Sequence, residues 1–311
     1  RIKKLTNKNF DTCVSFYTNN GAFMGRVVRL NDVLQTILGK HNYPQDVSSA
    51  LAETTALSVL LADALKYNGL FTLQIQGNGP VSVLVADVTS EGKIRAYAKF
   101  DEQKLAEVKK LRKTGDIIEE LPHLVGGGYM AFTIDQGPET ETYQGVVDLQ
   151  GKTLTELALR YFKQSEQIDT ILKLFVKHPE GESQSWQAAG ILMQKVPLKG
   201  GNEQNLDEEA VKELWNEAEV FVGSLTDDEM FNADLSTPEI LHRLFHSSNL
   251  QIGREKAYSF GCRCSREKLL NTLSSMKEDD INAMIEDGKI TATCNFCGQV
   301  YSFDKGELLK H

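Results

Sequence analysis

Four of the five cysteines stand in two close pairs, Cys262-Arg-Cys264 and Cys294-Asn-Phe-Cys297, separated by the 29 residues of positions 265–293. No other feature constrains the C-terminal part of the chain as strongly. In a chain of 311 residues, so few cysteines, so clustered, fit a metal or redox site in a reducing compartment better than a disulfide framework. Four thiolates in two pairs form a tetrahedral Zn²⁺ set, and Gly298 after the second pair closes the turn of a zinc knuckle. The plainest use of such a set is a purely structural zinc ribbon.

The first pair argues for more. Residues i and i+2 of an extended segment project from the same face with Cα atoms up to roughly 7 Å apart. Tetrahedral sulfurs at Zn–S of about 2.3 Å lie roughly 3.7 Å from one another, so zinc accepts this arrangement. A disulfide needs an S–S bond of about 2.05 Å and Cα atoms usually within about 6.8 Å, so joining Cys262 to Cys264 requires the local backbone to rearrange. Arg263, Arg266 and Lys268 nearby are expected to favour thiolates, the form that peroxide attacks.

Upstream, periodicity predicts an α+β domain over residues 1–199. A strand is expected at 22–30, a short helix at 31–38 capped by Asn31, and a largely buried helix of roughly twenty residues from Val47, stopping at Asn68-Gly69. Strands follow at 71–76, 81–88 and 93–100 as an antiparallel meander, and at 129–134, 143–148, 171–177 and 187–196. Thr153-Leu-Thr-Glu156 predicts a capping box, and the charged stretch 101–120 a solvated, helical insertion. Gly145 to Thr153 resembles a phosphate loop but misses its spacing and reads as a strand entering a turn. The glycines at 77–79 and 126–128 read as turns. His242 and His246, one helical turn apart, lack a third ligand and read as an exposed face; Cys13 reads as a buried thiol.

Net charge separates a middle segment. Residues 1–199 hold 22 acids and 23 basic residues, and residues 247–311 hold nine of each, whereas residues 200–246 hold 12 acids against Lys212 and Arg243. Helical spacing of apolar residues from Ala210 to Val222, and capping boxes at Thr226-Asp-Asp-Glu229 and Ser236-Thr-Pro-Glu239, make this segment a set of short amphipathic helices. Short helices depend on packing, and charge of one sign repels itself, so this acidic linker is expected to be metastable. Residues 247–311 complete the division as a zinc-binding domain whose thiol chemistry leaves a redox-switch role open. No run of eighteen apolar residues occurs and Arg1-Ile-Lys-Lys is followed by polar residues, so a cytoplasmic location with no membrane association is expected.

The two cysteine pairs in their context, Cys262-Arg-Cys264-Ser-Arg-Glu267 and Cys294-Asn-Phe-Cys297-Gly298, resemble those of the redox-regulated 33 kDa heat-shock chaperone family of bacteria. The likeness extends over nearly the whole chain, through His41-Asn-Tyr-Pro44, residues 73–80, Gly127-Gly-Tyr129, residues 143–147, residues 161–167, Ala188-Ala-Gly190 and the linker-like 238–245. Two features differ from the family pattern: Met24-Gly25 stands where Arg-Gly is common, and the 101–120 insertion is long. The resemblance implies a non-enzymatic, ATP-independent holdase, inactive while reduced and holding one Zn²⁺ on Cys262, Cys264, Cys294 and Cys297. It further implies that oxidation joins Cys262 to Cys264 and Cys294 to Cys297, releases zinc, unfolds the linker and turns a monomer into a homodimer. The dimer then binds unfolding client proteins and prevents their aggregation under oxidative stress. Trp215, Phe221, Leu241 and Phe245 are the apolar linker residues expected to meet clients.

Two rival classes remain open at this point. A nucleic-acid-binding zinc ribbon calls for a basic face, which the neutral 247–311 segment and the acidic linker do not offer. A thiol oxidoreductase calls for one catalytic pair on a thioredoxin-like frame, whereas this chain has two pairs after acidic helices.

Overall fold

The computed structural model describes residues 9–111, 121–137, 139–180, 185–196, 208–286 and 288–308. The chain divides into two compact units, Arg1–Phe260 and Gly261–His311. In the first, β1 (Thr12–Thr18), β2 (Phe23–Leu30), α1 (Asp32–Leu38) and α2 (Gln45–Ala64) precede β3 (Leu70–Gly77), β4 (Val81–Thr89) and β5 (Lys93–Phe100). Next come α3 (Glu102–Leu111), α4 (Leu121–Val125), β6 (Gly128–Asp135), β7 (Tyr143–Asp148), α5 (Leu154–Tyr161), β8 (Thr170–Lys177) and β9 (Gln187–Lys195). The unit closes with α6 (Glu208–Ser224), α7 (Asp227–Met230), α8 (Thr237–Phe245), β10 (Gln251–Ala257) and β11 (Ser259–Phe260).

The fold is α+β. Two sheets, one ordered β10-β1-β2-β9-β8 and the other β11-β5-β4-β3-β6-β7, are antiparallel throughout except where β11 runs parallel to β5 over two residues. Helix α2 lies between them, and its buried residues share one core with Val28, Leu30 and Leu192 of the first sheet and Leu73, Leu84 and Ile94 of the second. Its sequence passes the length and composition test for a membrane span, but 83% of that window is buried inside the protein.

Strand alternation gives the five-stranded sheet two apolar faces. Cys13, Val28, Ala188 and Leu192 point to α2, whereas their neighbours Val14, Val27, Ala189, Ile191 and Met193 point the other way, into a second core. Helices α6–α8 cover that second face. Most of the expected elements are present, and the expected capping boxes of α7 and α8 are both formed.

Four local expectations are corrected. Asn31 does not cap α1 with its side chain; Asp11 does, its carboxylate accepting from the backbone N–H groups of Asn31 (2.9 Å), Asp32 (2.9 Å) and Val33 (3.2 Å). Helix α2 ends at Ala64, before Asn68-Gly69. At α5, Thr153 accepts from the Glu156 N–H, but Glu156 reaches back to the N–H of Lys152 rather than of Thr153. Finally, the switch domain expected from residue 247 starts later: residues 251–260 belong to the first unit, because β10 pairs with β1 and β11 with β5. The expected boundary at 199/200 and the second half of the 101–120 insertion lie outside the described residues; its first half is the helix α3.

Candidate metal centre

The second unit contains α9 (Arg266–Ser274), α10 (Glu278–Ala283), β12 (Lys289–Thr293), β13 (Val300–Asp304) and α11 (Lys305–Leu308). Its apolar core is small: Leu273, Ile281, Ile290 and Phe303 are buried, with Leu269, Leu270, Ile285, Ala292 and Tyr301 packed around them. So few buried side chains are marginal for a unit of this size, which is where a metal usually contributes.

Local structure brings the cysteines together. Cys262 and Cys264 lie just before α9, whose first turn is capped by Ser265 accepting from the Lys268 N–H at 3.2 Å. Cys294 and Cys297 sit in the turn of the β12–β13 hairpin, closed by the Gly298 N–H donating to the Cys294 carbonyl at 2.8 Å. Gly298 has φ +70°, the left-handed conformation that glycine adopts without steric cost.

The four sulfurs lie within 4.8 Å of one another. Neighbouring separations are 3.4 Å for Cys262–Cys264, 3.7 Å for Cys262–Cys294 and 3.4 Å for Cys264–Cys297. These approach the roughly 3.7 Å edge of a thiolate tetrahedron around a zinc-sized ion, so the set can hold a metal ion with little adjustment. None of the four is in a disulfide, and all are partly buried.

Burial raises the Cys262 thiol, but the Cys264 N–H and the neighbouring thiols outweigh it and bring the pKa down to about 7. Burial and the same neighbours push Cys297 up to about 12, and Cys294 also moves up. Packed like charges oppose one another, and a bound cation would favour release of the Cys294 and Cys297 protons. Tyr301, 3.2 Å from the Cys264 sulfur, is held up at about 12 by that contact.

Two of the basic residues expected to favour thiolates, Arg266 and Lys268, have partners of their own. Arg266 pairs with Glu307 at 2.8 Å, donates to the Ser302 carbonyl at 3.0 Å and lies over the Phe303 ring, while Lys268 donates to the Arg263 carbonyl at 3.3 Å. The push toward a Cys262 thiolate therefore comes from the backbone and the other sulfurs.

The candidate client residues occupy the first unit. Trp215, Leu241 and Phe245 are buried and Phe221 is half-buried, all against the second face of the five-stranded sheet. Phe245 stacks on Phe16 at 5.4 Å, Trp215 meets Phe23 edge-on at 5.1 Å, and Phe221 meets Phe245 edge-on at 6.0 Å. Phe16 in turn lies over Gly25, its pairing partner on β2, where any side chain would enter the ring.

Sequence reasoning missed Arg29. Fully buried, it donates to the carbonyls of Met230 (2.9 Å), Asn232 (2.5 Å) and Leu235 (2.6 Å) between α7 and α8 and lies 4.3 Å from the Phe10 ring centroid. Burial lowers its pKa to about 10. Lys173 makes a smaller clamp, donating to the Gly223 and Leu225 carbonyls around the end of α6. No sequence signal announces either, since both depend on where distant loops come to rest. His242 and His246 are exposed, 6.2 Å apart, and belong to no group of metal ligands among the described residues; Cys13 is buried.

The profile of the family described as Hsp33 protein matches residues 11–304. The chain is 34% identical over 296 residues to the 33 kDa chaperonin of Caulobacter vibrioides strain NA1000 / CB15N, covering 94% of this chain and 95% of that one. To the 33 kDa chaperonin of Ectopseudomonas mendocina it is 31% identical over 286 residues, covering 91% and 89%. A crystal structure of the 33 kDa chaperonin from Thermotoga maritima superposes with a TM-score of 0.76 at 21% identity over 96% of both chains, a likeness of fold.

Proposed function

The chain belongs to the Hsp33 family, a family of chaperones, and from that premise we propose that it is a redox-regulated, ATP-independent holdase for unfolding proteins. One observation carries the reading: the apolar face of α6–α8 covers the outer face of the five-stranded sheet, and the chain leads from that cover to the cysteine set through weakly held segments. β10 is an edge strand with mostly exposed side chains, β11 pairs over two residues, and Cys262 follows Phe260 by two positions.

In the reduced state Cys262, Cys264, Cys294 and Cys297 would hold Zn²⁺, which would supply stability that the small apolar core among the described residues does not. Peroxide takes two electrons from each thiolate pair and, with two protons, becomes two waters while an S–S bond forms. The pairs, by family resemblance, are Cys262 with Cys264 and Cys294 with Cys297. A disulfide sulfur is a poor zinc ligand, so the metal leaves and the second unit loses its fold. Order is then lost back through β11 and β10 to α8.

Release of the linker exposes two apolar surfaces at once. One is the stripe of Trp215, Phe221, Leu241 and Phe245, and the other is the sheet face of Val14, Phe16, Phe23, Val27 and Ile191. Both serve unfolded chains and a second copy of the protein, giving a dimer when oxidised and a monomer when reduced. The acidic outer side of the linker disfavours nucleic acid as the partner.

The test follows zinc release and suppression of aggregation of a denatured model protein before and after oxidation. The reading predicts suppression only in the oxidised, zinc-free protein; equal suppression in both states contradicts it.

A further inference from the structure

A cavity of about 890 Å³ opens between β1, β2, β10 and the C-terminal end of α2, within the first unit. Its lining holds four basic residues, Arg26, Lys66, Arg254 and Lys256, against one acid, Asp63, in a chain of net charge −9. A concave surface carrying an excess of one sign focuses the field on small ions of the other.

The floor of the cavity is built rather than incidental. Arg26 is 6% exposed, and among the described residues its Nε and Nη1 make no hydrogen bond. Its Nε lies 3.3 Å from Asp63 Oδ2, and its Nη2 has only the Met24 sulfur at 3.8 Å. Asp63 is itself shared, accepting from Arg254 Nη2 at 2.8 Å and from the Tyr258 hydroxyl at 3.2 Å. One buried carboxylate thus answers two guanidiniums. Lys256 adds a third cation, its ammonium donating to the Ser90 carbonyl at 3.0 Å and its pKa lowered by burial. Of these cations only Arg26 is buried; it shares Asp63 with the largely exposed Arg254 and, among the described residues, keeps nitrogens without a hydrogen bond, which an anion in the cavity would supply.

We propose that this cavity binds a small phosphorylated anion carrying a diphosphate group. Four cations, two of them forked guanidiniums, against one carboxylate leave an excess of three positive charges, which matches the several negative charges of a diphosphate better than the single charge of a carboxylate. The volume lies in the range of roughly 300–1,000 Å³ typical of small-molecule sites. Two of the cations come from β10, one from β2 and one, Lys66, from the second position after α2, so the ligand ties the edge strand to the core and raises the thermal midpoint of the protein.

The experiment is titration calorimetry on the reduced, zinc-loaded full chain with inorganic pyrophosphate, with ADP and with citrate, in separate runs. No oxidation is involved, so the outcome is independent of the redox switch. The proposal predicts saturable one-to-one binding of at least one diphosphate probe, weakened tenfold or more in Lys66→Gln and in Lys256→Gln. Lys66 is exposed and has no polar partner among the described residues, so its replacement leaves the fold intact. Lys104→Gln, on the exposed side of α3, leaves binding unchanged. Comparable affinities for both diphosphates make the inorganic group sufficient, and a clear preference for ADP makes the ligand a nucleotide; both support the site. Absence of binding by either diphosphate, binding indifferent to both cavity variants, or citrate binding as tightly as pyrophosphate overturns the proposal.

Discussion

The two faces of the five-stranded sheet are covered in different ways. Toward the core, α2 is apolar over most of its circumference, is held between two sheets and buries sixteen of its twenty residues. On the other face, α6 buries Trp215, Ala218 and Val222 and turns its acids outward, and α7 and α8 are short. A helix packed on both sides leaves only when the domain unfolds, whereas one packed on a single side and charged on the other can leave by itself. The same strands can therefore carry a permanent cover and a removable one, and in the proposed function the sheet face under the removable one is a latent binding surface.

The largest expected effect concerns what holds the removable cover. Removing the metal with a chelator under reducing conditions should cost the second unit its fold, since structural zinc contributes on the order of 10 kcal/mol or more. Circular dichroism should then show loss of helix while the β3–β6 meander stays folded; an unchanged spectrum would break the link between metal and cover.

Truncating one anchor on each face sharpens the contrast. Phe245→Ala and Leu57→Ala both empty fully buried positions and should each cost about 3–5 kcal/mol locally. Only Leu57→Ala should lower the midpoint of global unfolding by its full cost; Phe245→Ala should instead increase binding of an apolar dye by the reduced protein. Arg29→Met leaves three linker carbonyls without their charged donor and should loosen α7–α8 by about 2–3 kcal/mol, read as faster amide exchange confined to that region.

The permanent cover has a pH dependence of its own. Glu53 on α2 is raised by burial from 4.5 to about 7, so the folded state holds its proton where the unfolded state has released it. Stability should therefore fall as pH rises from about 4.5 to about 7 and level off above. Glu53→Gln should remove that slope and stabilise the protein at pH 8 by about 1–3 kcal/mol, checked by denaturant titration at both ends of the window. The smallest effect is at the caps: Ser236→Ala should cost α8 about 1 kcal/mol, seen as a small rise in dye binding without a change in the global midpoint.

Much of this contrast was legible in the sequence. Helix α2, strands β2–β9, both linker capping boxes and the cysteine set follow from periodicity, cap chemistry and ligand spacing. Strands β1, β10, β11, β12 and β13 were not. β1 is buried on both faces, so Cys13-Val14-Ser15-Phe16 shows no alternation, and β10 is an edge strand whose Gly253-Arg-Glu-Lys256 is polar; β1 is fixed by pairing with β2 and β10, and β10 by pairing with β1. Asp11 as the cap of α1, Arg29 as a clamp on the linker and the cation-lined cavity beside Asp63 join residues from 20 to about 200 positions apart. Local pattern cannot report such contacts. The partners of Arg266 escape the sequence for the same reason, since Glu307 and Ser302 lie far along the chain.

The central claim is that the cysteine set holds α6–α8 on the sheet. Hydrogen exchange of the reduced, zinc-loaded protein and of the peroxide-oxidised protein, compared region by region, tests it most directly. The account predicts that oxidation abolishes protection over 208–245 and in the second unit while α2 and the β3–β6 meander keep theirs. Protection of 208–245 that survives zinc release and disulfide formation would contradict it.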